Sequence, residues 1–400
     1  MAWRNVWRNS RRSAVTIAAM AFALWVMVLY SGLISGYLVT MESDVLDYEV
    51  GDIQAFPEGY RDDPTLFRRI EDPTAKVEAL EAAGFRVEPR LLGAALAASG
   101  EQSSGVQLRG IDVARDKQVL RVWERVAEGE WLDPADPGGV VLGRRLARTL
   151  GVKPGGELLV LSQGADGSMA NDLYRVRGVL GPVGEATDRA AVFLTEQAFR
   201  KLMVVPDGAS QLIVRVPPGQ PDLDAAEAEV AKLVPGAEVL SWRRLMPTVA
   251  TMLDSAAAMI YLIFGIVYVA VGILVLNAML MAVFERIREF GVMKALGVGP
   301  WLVARLILIE AALQVAVAVV IAMVLAAPMM WYLQNVGLDM SVLSGASVVG
   351  LNIPAIWTGV YDVQTVSAPL VVLLFITGVA VTIPAVRAAT LRPVEAMRYQ

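Results

Sequence analysis

The sequence predicts a membrane protein with four transmembrane α-helices and a large extracytoplasmic α/β (mixed α+β) domain inserted between helices 1 and 2. Three observations predict it. Hydrophobic residues make up 56% of the 400-residue chain, too apolar for an ordinary soluble domain. Four segments, Ser13–Met41, Ser255–Phe284, Ala311–Leu338 and Val363–Val386, carry no charge, and each exceeds the ~20 residues that a helix needs to cross the hydrocarbon core. Finally, residues 42–254 hold 34 of the 40 acidic side chains but only 24 of the 35 basic ones. The acid sits in one block and the remaining base flanks the apolar segments.

In chain order, residues 1–12 form an interfacial amphipathic helix, with Trp3, Val6 and Trp7 as an apolar stripe beside Arg4, Arg8 and Arg11. Residues 13–41 are the first span and the start of a stalk. The apolar run is longer than the h-region of a signal peptide and no A-x-A site closes it, so an uncleaved anchor is expected. Residues 42–253 are the inserted domain. Its β-branched runs `VQLRGIDV`, `GELLVLS`, `YRVRGVL`, `AAVFL` and `QLIVRVP` read as strands bounded by turn residues such as `GADGS`. Between them `DPTLFRRI`, `PTAKVEALEAAG`, `LGRRLARTLG`, `TEQAFRKLM` and `DLDAAEAEVAKLV` have helical spacing. The approaches `VTMESDVLDY` and `SWRRLMPTVATMLD` are expected to prolong the flanking spans as helices.

Residues 254–284 are the second span, 285–300 a short amphipathic helix and turn, 301–333 the third span, 334–363 a nearly uncharged loop, 364–386 the fourth span and 387–400 a tail. Lys and Arg cluster before the first span (Arg4, Arg8, Arg11, Arg12), between the second and third (Arg286, Arg288, Lys294, Arg305) and after the fourth (Arg387, Arg392, Arg398). The loop between the third and fourth has only Asp339 and Asp362. The positive-inside rule then places both termini and the 285–300 segment in the cytoplasm.

The composition also excludes functions. With no Cys and no His, disulfides, thiol nucleophiles, most zinc sites and His-based acid/base catalysis are absent. No long basic face suggests nucleic acid. No G-x-x-x-x-G-K-[ST] phosphate loop occurs, so any ATP and magnesium belong to a partner. Catalytic, cofactor and metal residues are not expected on this chain.

The stretch `FERIREFGVMKALGVGP`, Phe284–Pro300, places Phe284, Ile287, Phe290, Lys294 and Ala295 near one helical stripe, with Glu285, Arg286, Arg288 and Glu289 mostly off it. Spacing alone leaves open a charged interfacial turn or a docking surface. The stretch resembles the `xERxREFGxxxALG` loop of the FtsX-like permeases of ATP-binding-cassette transporters, the group of the lipoprotein-releasing and macrolide-exporter types. `AWRNVWRNSRRSAVT`, `VVLGRRLARTLGVKPGGELLV`, `GSMANDLYRVRGVLGPVGEATDRAAVFL` and `PAVRAATLRPVEAMR` are similar to further parts of that family in the expected order.

The resemblance implies a bacterial inner-membrane permease working by mechanotransmission. Its 285–300 coupling helix would meet a cytoplasmic ABC ATPase dimer through Glu285, Arg286, Arg288, Glu289, Phe290, Lys294, Leu296 and Gly297. It also implies a second permease subunit, identical or homologous, and a lipoprotein or other envelope substrate with a periplasmic carrier or adaptor. Release of lipoproteins is favoured, and efflux through an adaptor or activation of a cell-wall hydrolase are the alternatives. Outside the coupling stretch, Glu310 is a functional candidate as a carboxylate near a span but is favoured as an interfacial residue reaching headgroups or a basic neighbour. Asn277 is read as a packing residue, and the loop with Trp357 and Tyr361 either lines the entrance for a lipid-bearing substrate or packs against membrane lipid at the outer surface.

Overall fold

The computed structural model describes residues 10–217, 219, 222–340, 347–348, 351–352 and 356–390. The 1–12 helix, much of the 334–363 loop and most of the 387–400 tail lie outside them. The chain divides into a membrane unit, Met1–Val39, Leu253–Met340 and Ile356–Gln400, and an inserted unit, Thr40–Met252 with Ser341–Ala355.

Helix α1, Ser10–Asp44, runs past the end of its charge-free stretch and passes into a π-helical turn, Val45–Val50. In the inserted unit follow β1 (Ile53–Pro57), α2 (Pro73–Ala82), β2 (Arg86–Ser99), β3 (Gln102–Ile111), α3 (Val113–Val119) and β4 (Val126–Gly129). Next come β5 (Gly139–Leu142), α4 (Arg144–Leu150), β6 (Glu157–Gln163), β7 (Met169–Leu180), α5 (Glu185–Ala190) and β8 (Ala191–Thr195). The unit closes with α6 (Glu196–Met203), β9 (Gln211–Arg215), α7 (Leu223–Leu233), β10 (Ala237–Ser241) and α8 (Trp242–Leu245).

These strands form one mixed sheet in the order β10-β1-β9-β2-β3-β8-β5-β7-β4, with β6 pairing β2 and β7. Helices start where side chains cap them: Asp72, Asp112, Thr195 and Asp222 each accept hydrogen bonds from the first free backbone N–H groups of α2, α3, α6 and α7.

The expected helix over `DPTLFRRI` does not form. Ile70 instead bridges Ala209 through paired backbone hydrogen bonds, while the Arg68 and Arg69 guanidiniums donate to the carbonyls of Gly59 and Leu66. Backbone pairing across the chain and side chains spent on local carbonyls compete with a short helix of marginal nucleation.

The unit also buries a polar centre. Arg90 Nη2 lies 2.8 Å from Glu88 Oε2 and 2.9 Å from Asp116 Oδ1, and all three side chains are buried. Burial pushes the Glu88 carboxyl up to about 8, against the pull of Arg90, and Asp116 is raised as well. Two buried acids thus share the Arg90 guanidinium. Beside them Arg109 donates to Thr187 Oγ1 at 3.1 Å, and Thr187 donates to Glu49 at 3.2 Å.

In the membrane unit the remaining long helices are α9 (Pro247–Glu285), α11 (Pro300–Asn335) and α12 (Val363–Thr390), with the short α10 (Ile287–Ala295) between α9 and α11. Between α11 and α12 lie the two-residue strands β11 (Leu338–Asp339), β12 (Ser347–Val348), β13 (Leu351–Asn352) and β14 (Ile356–Trp357). Helices α1, α9, α11 and α12 are long and apolar enough to cross a membrane. All exceed their uncharged stretches, because helices end at caps rather than at the first charge. The start of α12 is a reciprocal cap: Asp362 Oδ1 accepts from the Thr365 N–H at 2.7 Å and Thr365 Oγ1 from the Asp362 N–H at 2.9 Å.

Candidate functional site

The 284–300 stretch contains two helices and a turn. Helix α9 ends at Glu285; Arg286, at φ −111° and ψ 15°, breaks the helical run and starts α10. The segment ends in a Schellman motif. The Val298 N–H donates to Met293 O at 3.0 Å and the Gly297 N–H to Lys294 O at 3.1 Å, with Gly297 at φ +91°, a conformation favouring glycine. The turn releases the chain into α11, whose first residue is Pro300.

The two faces of α10 differ. Ile287, Phe290 and Gly291 are buried, and Phe290 shares a core cluster with Val303, Ala304, Ile307, Ala385 and Ala388. Glu285, Arg288, Glu289, Val292, Leu296 and Gly297 are exposed, Leu296 at 81%. Trp301 and Leu302, in the first turn of α11, add exposed apolar area.

Arg286, Phe290 and Lys294 therefore face the protein rather than the surface. Arg286 Nη1 donates to Glu310 Oε2 at 3.0 Å, its Nε donates to Glu289 Oε2 at 2.9 Å, and its guanidinium lies over the Phe290 ring, 5.2 Å from the centroid. Lys294 Nζ donates to Ala389 O at 2.6 Å, satisfying a carbonyl in the last turn of α12. Phe284, which spacing sets on one stripe with Ile287 and Phe290, is exposed while those two are buried, because the break at Arg286 resets the helical phase.

Glu310, read from the sequence as reaching headgroups or a basic neighbour, has the basic neighbour. It is 8% exposed and tied to Arg286 rather than to headgroups. Its signal was a carboxylate just inside an apolar span, which is costly unless paired, but nothing in the spacing named a partner 24 residues earlier. Asn277 is exposed on the surface of the bundle.

The opposite end of the bundle is also closely built. The Val360 N–H donates to Gly32 O at 2.9 Å, the Gly359 N–H to Leu333 O at 2.9 Å, and the Tyr361 hydroxyl to Leu29 O at 3.2 Å. A Cβ at Gly32 would overlap the Tyr361 ring, and one at Gly36 the Thr358 carbonyl oxygen. The Trp357 ring lies against that of Tyr37, tilted by 35° with 4.4 Å between centroids.

In the inserted unit, one face of β2, β6 and β7 is apolar and exposed. The register sets Leu96 opposite Leu161 and Leu159 opposite Leu173, with Met169 at the β7 end. Met169 is 81% exposed, and Leu96, Leu159 and Leu173 are exposed as well. Exposed apolar side chains grouped on one face mark an interaction surface more often than a single exposed leucine does.

Residues 13–233 match the family model of the MacB-like periplasmic core domain, and residues 261–393 match that of the FtsX-like permease C-terminal region. The chain belongs to the FtsX-like ABC transporter permeases. The permease is 22% identical over 404 residues to the lipoprotein-releasing system transmembrane protein LolC of Neisseria meningitidis serogroup B, covering 96% of this chain and 94% of that protein. Similar solved structures include the periplasmic region of MacB from Actinobacillus actinomycetemcomitans, at 13% identity and TM-score 0.36, covering 53% of the permease and 98% of that chain. The extracellular domain of the ABC-type transporter YknZ from Gram-positive bacteria is also similar, at 13% identity and TM-score 0.34, covering 47% and 98%.

Proposed function

We propose that the permease couples ATP hydrolysis on a separate cytoplasmic ATPase, which holds the nucleotide and magnesium, to the release of lipid-anchored proteins on the other side of the membrane. The observation that carries this reading is the colinear match to LolC from end to end. Docking is assigned to the exposed face of the coupling segment: Glu285, Arg288, Glu289, Leu296 and Gly297, with Val292 and Trp301. Arg286, Phe290 and Lys294 act from behind that face by fixing the helix to its neighbours. In this reading the coupling segment and both termini lie in the cytoplasm, which the distribution of Lys and Arg favours.

The work is mechanical. A substrate already in the outer leaflet needs to be pulled out, and the cost is the apolar area of its acyl chains exposed on the way. The exposed leucine face of β2, β6 and β7 suits such chains or the apolar mouth of a carrier.

The test reconstitutes the permease in nanodiscs with a cytoplasmic ATPase of the lipoprotein-releasing type and identifies by mass spectrometry what co-purifies in the nucleotide-free state. Acylated lipoproteins discharged on ATP addition are the expected result; an adaptor without lipoprotein points to efflux, and a cell-wall hydrolase to signalling. Glu289→Lys is expected to abolish coupled release while insertion persists, and normal release in that variant would remove Glu289 from the docking face.

A further inference from the structure

We propose that the groove between α11 and α12 is a lipid site, holding one acyl chain of an anionic phospholipid whose phosphate rests on the guanidinium groups of Arg305 and Arg387. The site belongs to the permease alone and does not depend on which substrate or ATPase it serves.

The groove has a volume of about 550 Å³ and runs from Leu308 to Val320 on α11 and from Leu370 to Val381 on α12. Small side chains give it depth: Ala312 and Ala316 stand one turn apart on the α11 wall, and Gly378 lies in the α12 wall. A Cβ at Gly378 would meet no atom within 4 Å, so the space beside it is open rather than filled by α11. The lining is aliphatic apart from Thr377, whose hydroxyl donates to the Leu373 carbonyl at 2.7 Å. With the one polar side chain of the wall already satisfied, whatever lies in the groove has to be apolar.

Length separates the two apolar occupants. Ala312 and Ala316 make a small-xxx-small pair of the kind that admits a second helix. A spanning helix, however, needs the whole ~30 Å of the hydrocarbon core, whereas the rise along α11 from Leu308 to Val320 is only ~18 Å. That is the depth of one leaflet, which an acyl chain fills and a spanning helix overruns.

Charge selects the lipid. Helix α10 holds the first part of α11 through Glu310 and the last turn of α12 through the Ala389 carbonyl, so these two helix ends lie at the same end of the bundle. Arg305 stands there one turn before Leu308, and Arg387 stands beyond Val381. Both are exposed, and among the described residues neither has a carboxylate partner, whereas Arg286 at the same end is tied to Glu289 and Glu310. A phosphate diester meets a guanidinium through charge-assisted hydrogen bonds of matching geometry. A zwitterionic headgroup brings its own cation to the same place and gains less.

Native mass spectrometry of the solubilised permease, titrated with phosphatidylglycerol or with phosphatidylcholine of the same chain length, tests the site. One lipid is expected to bind more tightly than the rest, with phosphatidylglycerol favoured about tenfold. Gly378→Leu, which places a side chain in the open space, should remove that lipid, and so should Ala316→Leu from the other wall. Val379→Leu is the control: it is exposed and outside the groove lining, and should keep the lipid. Arg305→Gln combined with Arg387→Gln should retain a lipid and bring the two headgroups to equal affinity.

Equal binding of the two lipids by the unsubstituted permease overturns the proposal, as does a tight lipid that survives in both plugged variants. Leucine is favoured over glycine inside a helix, so the plugged variants are expected to fold. If they do not stay monodisperse, the arginine variant decides: equal affinity supports the site, and a persisting preference for phosphatidylglycerol overturns it. No ATPase or substrate enters the assay, so its outcome is separate from that of the release experiment.

Discussion

In the inserted unit the buried Arg90 serves two buried carboxylates, Glu88 and Asp116, whereas in the helical bundle Arg286 serves one buried carboxylate, Glu310, and one at the surface, Glu289. In the first case neither acid has a route to water, and burial holds both carboxyls above their usual range. In the second, the spare acid turns outward and the buried remainder is a one-to-one pair. An apolar bundle tolerates charge only as a neutral pair near its end, while a sheet flanked by solvated helices can enclose a titrating group. The difference predicts that the two units respond differently to loss of a partner and to pH.

The largest effect is expected for Arg90→Met. It strands two adjacent carboxyls in the core and should cost about 3–5 kcal/mol, read as a lowered unfolding midpoint of the inserted unit by fluorescence of the buried Trp131. An unchanged midpoint would mean that the polar centre contributes no structure. Arg286→Met strands only Glu310, within reach of the surface, and a smaller loss of about 1–3 kcal/mol is expected in detergent-resistance assays. If it equals or exceeds Arg90→Met, the comparison is wrong in its main point.

The pH response comes next. The folded Glu88 carboxyl sits at about 8, above the usual carboxylate range, so the folded state binds the proton more tightly than the unfolded chain does. The stability this provides is complete below the ordinary Glu value and is lost as pH rises toward about 8. The slope is at most about 1.4 kcal/mol per pH unit for one proton. Thermal scans between pH 5 and 8 should show the inserted unit weakening, and Glu88→Gln should flatten that dependence. A rise in stability across the same window would place the proton elsewhere. The smallest change in stability, within about 0.5 kcal/mol, is expected for Leu296→Glu at the exposed end of α10. That variant is nevertheless expected to lose ATPase binding, measured by pull-down from nanodiscs, and retained binding would remove Leu296 from the docking face.

The four membrane helices were legible because each is an uninterrupted apolar run, a signal carried by single residues and their neighbours. So were the helices after Asp72, Thr195 and Asp222, each announced by a cap, and the strands β3, β6, β7, β8 and β9, each β-branched between turns. The alanine-rich β2 was not read, since Gly93, Ala94, Ala95, Ala97 and Ala98 lack strand propensity and the strand is held by its pairing with β3, β6 and β9. At the coupling segment the helical spacing did not give the directions of the side chains. A break at one residue, Arg286, rotated Phe284 outward and turned Arg286 itself inward.

What the sequence determined by itself was the class of protein, the number of membrane helices and the place of the inserted unit, because hydropathy and charge are additive along the chain and need no knowledge of neighbours. What the tertiary structure alone decided were the pairings between distant residues: Arg286 with Glu310, Lys294 with the Ala389 carbonyl, Tyr361 and Val360 with α1, and Arg90 with Asp116. Each depends on which helix or strand comes to lie beside which. That is set by the packing of whole elements, so no local pattern of residues encodes it.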